Sequence, residues 1–210
     1  MLRFASGSLI ENRKVVMYKS TVPTGCAGEW AVERYEVTEA EANLGRLRAS
    51  IGNDGGRFVP AGRYTMLKRG ARLVMSDTPD EIRDHYGVLS QAQQYGGNVL
   101  VAGLGLGVVI DLVLVCDNIE HVTVIEKSSD VISLVGPHML SRHPARLTIH
   151  KADVFEWKPP RDQRYSVAWF DIWNNICSTN LVEMKKLERK YVHRAKWCGC
   201  WGQSQCRRAK

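Results

Sequence analysis

The chain has 210 residues, 44% hydrophobic and 24% charged, with a net charge of +7. That is enough apolar material for one core of about 150 residues plus an appendage, and it excludes a disordered or fibrous protein. The charge is uneven: residues 181–210 hold nine Lys/Arg and two acids, an excess equal to that of the whole chain, so the rest is neutral. A basic end of this kind attracts phosphate backbones or acidic surfaces, or serves simply as a solvated helix face. The first residues lack an apolar stretch followed by small residues, so no secretory signal is expected. The six cysteines then read as free thiols in a reducing, cytoplasmic setting.

In chain order, residues 15–18 and 30–35 read as short strands around a loop at 24–28. Thr38 with Glu41 makes a capping box, and Ala40, Leu44, Leu47 and Ile51 continue at helical spacing until the glycine-rich run 52–56. Residues 63–67 and 72–75 flank Arg69-Gly70 as a hairpin. Thr78 is expected to cap a helix with Pro79 in its first turn and Glu81 reaching back, running to about Gln94 before Gly96-Gly97. Strands follow at 99–102, 121–126, 147–150 and 165–170. Helices are expected at 106–116 and from Ser128 or Ser129 through Leu134. The apolar run 99–116 is broken by three glycines and Asp111, so it reads as strand, turn and helix, with no membrane association. Asn180 with Glu183 opens a last helix, with Leu181, Met184, Leu187, Tyr191 and Ala195 on one face and the bases on the other.

Strands alternating with helices predict an α/β fold. A Rossmann-like, mostly parallel sheet has helices on both faces and follows a small β-rich N-terminal region. The expected division is 1–75 for that region, 76–180 for the Rossmann-like domain, and 181–210 for a basic helix and tail. Only 39 residues follow Asp171, so a short sheet is expected, compatible with a homodimer.

The chemistry concentrates after residue 99. Gly103, Gly105 and Gly107 follow the first strand of the alternating region, where glycine lets the backbone turn sharply and approach a ligand. Glu126 closes the next strand, 23 residues after Gly103, where an acid can accept both hydroxyls of an adenosine ribose. Asp153 follows the third strand and can accept from an adenine amino group, and Asp171 ends the fourth. All stand at C-terminal strand ends, where open α/β sheets bind ligands. A dinucleotide fingerprint would need glycine at 108, where Val108 stands, so the spacing favours S-adenosylmethionine over NAD. Trp169 and Trp173 flank Asp171 as an aromatic wall beside a sulfonium, or as core.

Residues 72–175 resemble the class I methyltransferase superfamily, and within it the spermidine synthase-like branch. That branch carries D-E-x-x-Y-H-E on a helix before the glycine motif; here Asp80, Glu81 and His85 match, while Asp84 and Tyr86 stand at the Tyr and last Glu positions. Of its strand-four motif, Y-D-x-I-x-x-D-x-x-D-P, Tyr165 and Asp171 match, but Asn174 and Asn175 replace the second Asp and the Pro. The resemblance implies S-adenosylmethionine as cofactor, with His85 among the cofactor-contacting residues and Asp171 at the reactive end. The missing acids are those that would hold a polyamine cation.

The expected function is an S-adenosylmethionine-dependent transferase, a methyltransferase whose acceptor the sequence does not name. One alternative is a truncated nucleoside-binding module docking on nucleic acid or protein through its basic tail. Another is a polyamine aminopropyltransferase. Cys198 and Cys200 are spaced Cys-x-Cys, unlike the Cys-x-x-Cys knuckle of structural zinc, so no metal is expected.

Overall fold

A computed structural model describes residues 18–52 and 57–209. Most of the strand expected at 15–18 lies outside the described residues. The parallel sheet is built from β5 (Gly97–Ala102), β6 (Ile119–Glu126), β7 (Leu147–Lys151), β8 (Tyr165–Phe170) and β9 (Ala195–Cys200), in the order β7-β6-β5-β8-β9. The central strands are buried on both faces, as a helix-covered parallel sheet requires. Because side chains alternate, Val99, Val101, Val167 and Trp169 enter one core, while Leu100, Ala102, Ala168 and Phe170 enter the other. Each fully buried Val, Leu or Phe contributes about 1.5–3 kcal/mol, which is why these runs fix the centre of the fold.

Helices α3 (Tyr86–Tyr95), α4 (Val108–Leu114) and α5 (Ser129–Arg142) cover the first face; α6 (Asn180–Tyr191) and α7 (Gln203–Arg208) cover the second. Ser128 caps α5, its hydroxyl accepting from the Val131 amide at 3.3 Å. The helix runs past Leu134, through Gly136-Pro137, because Val135 and Met139 pack fully buried into the sheet.

Ahead of this sheet lies an antiparallel one of β1 (Gly25–Ala27), β2 (Trp30–Val37), β3 (Gly62–Arg69) and β4 (Arg72–Ser76). The expected hairpin is β3–β4, turning at Gly70. Buried Asp77 ties this sheet to its flanking chain, its carboxylate accepting from the Thr65 amide at 2.7 Å and the Ser20 amide at 2.8 Å. Tyr18 donates to buried Asp111 of α4 at 2.9 Å, joining the start of the described chain to the parallel-sheet half.

Four expectations are corrected. The final thirty residues are not helix and tail: after α6 the chain adds β9, parallel to β8 with Tyr165 opposite Ala195 and Phe170 opposite Cys200. The parallel sheet therefore has five strands, and Ala195 lies in β9, not on the helix. At Gly199 a side chain would collide with the Trp197 ring, which stacks on Trp169 at 6.2 Å and 9°. Second, the helix expected from Pro79 to Gln94 is two, α2 (Pro79–Arg83) and α3, broken at Asp84-His85. Third, Thr78 makes no side-chain cap; Glu81 accepts instead from the amide and hydroxyl of Ser76. Fourth, α1 (Glu39–Ile51) has its Thr38–Glu41 capping box, but Leu44, Leu47 and Ile51 are exposed while Ala42 and Ala49 face inward. The covered face is made of small residues, and the larger apolar row is left outside.

Candidate active site

Chain order places β6 and β7 on one side of β5, and β8 and β9 on the other. The loops after β5 and β8 therefore part at a crevice between neighbouring parallel strands, where this type of sheet opens a ligand site. A cavity of about 1110 Å³ lies there, roofed by Trp30, Leu67, Arg69 and Met75 of the antiparallel sheet. Its floor includes Gly103, Gly105, Glu126, Asp153 and Asp171, with His85 beside them. Six of the seven expected site residues thus share one cavity.

Gly107 does not line it. It is the left-handed residue (φ 75°) that starts α4, and a side chain there would run into Met139 of α5. It packs α4 on α5. Gly103 has φ 100°, and its backbone presses so closely on the Asp171 carbonyl that a β-carbon would overlap that oxygen. The Gly103 amide donates to Ile125 O at 2.9 Å, and the Asp171 amide donates to Ala102 O at 2.8 Å. These bonds bind the loop after β5 to the ends of both neighbouring strands.

Glu126 is held by the same loop. Its carboxylate accepts from the Leu104 amide at 2.8 Å with one oxygen and from the Ser128 amide at 2.7 Å with the other. Each oxygen keeps a second acceptor direction for a ligand hydroxyl. Asp153 accepts from the Phe155 amide at 2.9 Å and pairs with Lys127 at 2.8 Å. The Lys127 hydrogen bond, opposed by modest burial, holds its carboxyl below the usual range. Ile125, Val154 and Phe155 add apolar surface between these two acids.

The far end is different in kind. Burial, then the charges of Glu81 and Asp84, push the Asp171 carboxyl up to about 7. His85 Nε2 stands 4.0 Å from Asp171 Oδ2, and burial pushes the imidazole down to about 4, so the two form no ion pair at neutral pH. His85 Nδ1 and Trp169 Nε1 are buried with no hydrogen-bond partner among the described residues. Burial also raises Glu81. Trp173 donates to Glu183 at 2.8 Å, and Arg72 donates to the Asn174 carbonyl at 3.1 Å, fixing the loop after β8.

Several lining residues were not expected from sequence. Met75 covers the glycine loop, its sulfur accepting from the Leu106 amide at 3.1 Å, but it comes from a strand remote in sequence. Glu81, read from sequence as a reach-back cap and as part of the matched Asp80-Glu81 pair, also lines the cavity. Glu183 and Trp201 reach the cavity only because α6 and β9 pack beside β8.

No family model matches the chain, and no curated protein matches it. Solved structures similar to it include PH1948 of Pyrococcus horikoshii, described as a candidate RNA methyltransferase, at 15% identity and TM-score 0.47, over 61% of this chain and 64% of that one. The CcbJ methyltransferase of Streptomyces caelestis is similar at 19% identity and TM-score 0.42, over 53% and 45%. An S-adenosylmethionine-dependent methyltransferase of Clostridium acetobutylicum is similar at 7% identity and TM-score 0.39, over 54% and 44%. The chain thus spans less than two thirds of the length of each. At such identities the likeness is one of fold, and what the site does is decided by its own residues.

Proposed function

We propose that this protein is an S-adenosylmethionine-dependent methyltransferase with a spermidine synthase-like layout, in which the antiparallel sheet roofs the donor cavity. One observation carries the reading: Glu126, tied to the glycine loop, and Asp171, pressed on the same loop from β8, face one cavity. The donor set fits the cofactor. Glu126 offers two acceptor oxygens to a ribose, Asp153 an acceptor to an adenine amine, and Val154 with Phe155 an apolar slot.

When bound, S-adenosylmethionine supplies an electrophilic methyl group on a sulfonium. The chain's own part is to position and to move a proton. The Asp171 carboxylate would orient an acceptor N–H or O–H toward the donor end and would accept its proton. A carboxyl raised to about 7 is suited to that exchange near neutral pH. Neutral His85 borders Asp171 without neutralising it. With Glu81, Asp171 and Glu183 in the lining, the acceptor end favours a cationic or amine-bearing group.

Calorimetric titration with S-adenosylmethionine, its decarboxylated form, S-adenosylhomocysteine and NAD tests this. Binding of the first or third is expected, with Glu126→Ala weakening it at least about tenfold, or about 1.4 kcal/mol. Preference for the decarboxylated form would move the activity to aminopropyl transfer. Silence from all four would sink the cofactor assignment.

A further inference from the structure

Away from the cavity, the basic residues form a track. Lys186 and Lys190 lie one turn apart on α6, and Arg194 follows in the turn between α6 and β9. All three face the connection between β7 and β8. Lys186 sits 5.4 Å from the Phe155 ring, Lys190 donates to the carbonyls of Val154 and Phe155 at 2.8 and 2.7 Å, and Arg194 donates to those of Pro160 and Arg161 at 2.9 and 3.2 Å. That connection supplies exposed Lys158 and Arg161. Lys158, Arg161, Lys190 and Arg194 border a crevice of about 300 Å³ that no carboxylate lines. Asp153, Glu156 and Asp162 are the acids on this connection, Asp153 already paired with Lys127, and the five cations of the track outnumber them. The carbonyl bonds leave Lys190 and Arg194 with unused N–H groups. At one end of the track, Phe155 also lines the large cavity.

We infer that this track binds the phosphate backbone of a single-stranded nucleic acid, with Phe155 as a stacking platform where the strand meets the cavity rim. The arrangement of charge selects this partner. Cations in line with an aromatic at one end match a backbone carrying regularly spaced charges and bases. The surface lies between α6 and the β7–β8 connection, not in the last residues of the chain, where Arg207 and Arg208 belong to α7.

The test is fluorescence anisotropy of the full chain with labelled mixed-sequence 12-mers, one ribo and one deoxyribo, without methyl donor. Binding is expected at 50 mM salt, with log K falling against log salt with a slope of about −3.5 for five cations at about −0.7 each. The triple variant Lys158→Gln, Arg161→Gln, Lys186→Gln, which spares the carbonyl-bonded cations, should weaken binding at least tenfold and flatten the slope. The paired variants Lys185→Gln, Arg189→Gln and Arg207→Gln, Arg208→Gln should each change it less than twofold. Equal losses in all variants, absence of binding, competition by poly-glutamate as effective as by unlabelled oligonucleotide, or tighter binding to phosphatidylserine vesicles would each overturn the inference. Because no donor is present, the result is independent of the calorimetric one.

Discussion

The two ends of the cavity use carboxylates in opposite ways. Toward β6 and β7, Glu126 and Asp153 each accept backbone N–H bonds, and Asp153 also has a lysine. Toward β8, Asp171 stands among buried neighbours beside the acids Glu81 and Asp84, and its carboxyl is raised. A carboxylate supplied with donors is held in place, suited to holding a neutral polyol or amine; one short of donors and buried is poised to exchange a proton. The comparison teaches that the backbone, more than the residue type, assigns each acid its task.

The largest effect should come from the joint between the two ends. Gly103→Ala forces a β-carbon onto the Asp171 carbonyl at φ 100°, so β5 and β8 must separate. A loss of about 3 kcal/mol in urea unfolding is expected, with adenosyl-ligand binding abolished. Unchanged stability would mean that the two ends are not mechanically joined.

Next comes the poised end. Because the folded-state pKa of Asp171 lies above its unfolded value, the native state binds the extra proton, and stability is lost as pH rises from about 4 toward 7. Asp171→Asn removes that loss. Relative to the parent, the variant should gain up to about 1.4 kcal/mol per pH unit across this window and level off above pH 7, measured by urea unfolding. His85 has the opposite sign, since its lowered pKa costs stability as pH falls from 6.5 toward 4. It is common to both proteins and cancels in their difference. A flat difference between variant and parent would show an ordinary, solvated aspartate.

The smallest effect belongs to the exposed pair at the held end. Lys127→Ala should leave the melting temperature within error, because a pair this open to water is well screened. Carboxyl NMR titration should nevertheless show Asp153 moving up toward its ordinary range. A clear melting shift would make Lys127 part of the scaffold.

Much of this was legible because its signals are local. The alternation from β5 to β8 and the acids at successive strand ends needed only periodicity and spacing. What escaped depended on contacts distant in the chain. The β9 segment Ala195–Cys200 has no β-branched residue and contains Gly199, so its strand character comes from pairing with β8. The break at His85 answers to its packing edge-on to Trp169, 84 residues away, at 6.3 Å. Leu44, Leu47 and Ile51 are a correct helical row pointing the wrong way, since periodicity finds a face without saying which face is covered. Gly107 was grouped with its neighbours by spacing, but only coordinates distinguish a glycine facing a cavity from one facing Met139.

The outer strands of the parallel sheet have a consequence for the protein in concentrated solution. Among the described residues, β7 pairs with β6 alone and β9 with β8 alone, so each presents a row of backbone donors and acceptors on its outer side. Both strands are short, and each carries an exposed lysine, Lys151 in one and Lys196 in the other. Stacking a second sheet edge-to-edge would strip water from those ammonium groups, so the edges resist polymerisation without a covering helix.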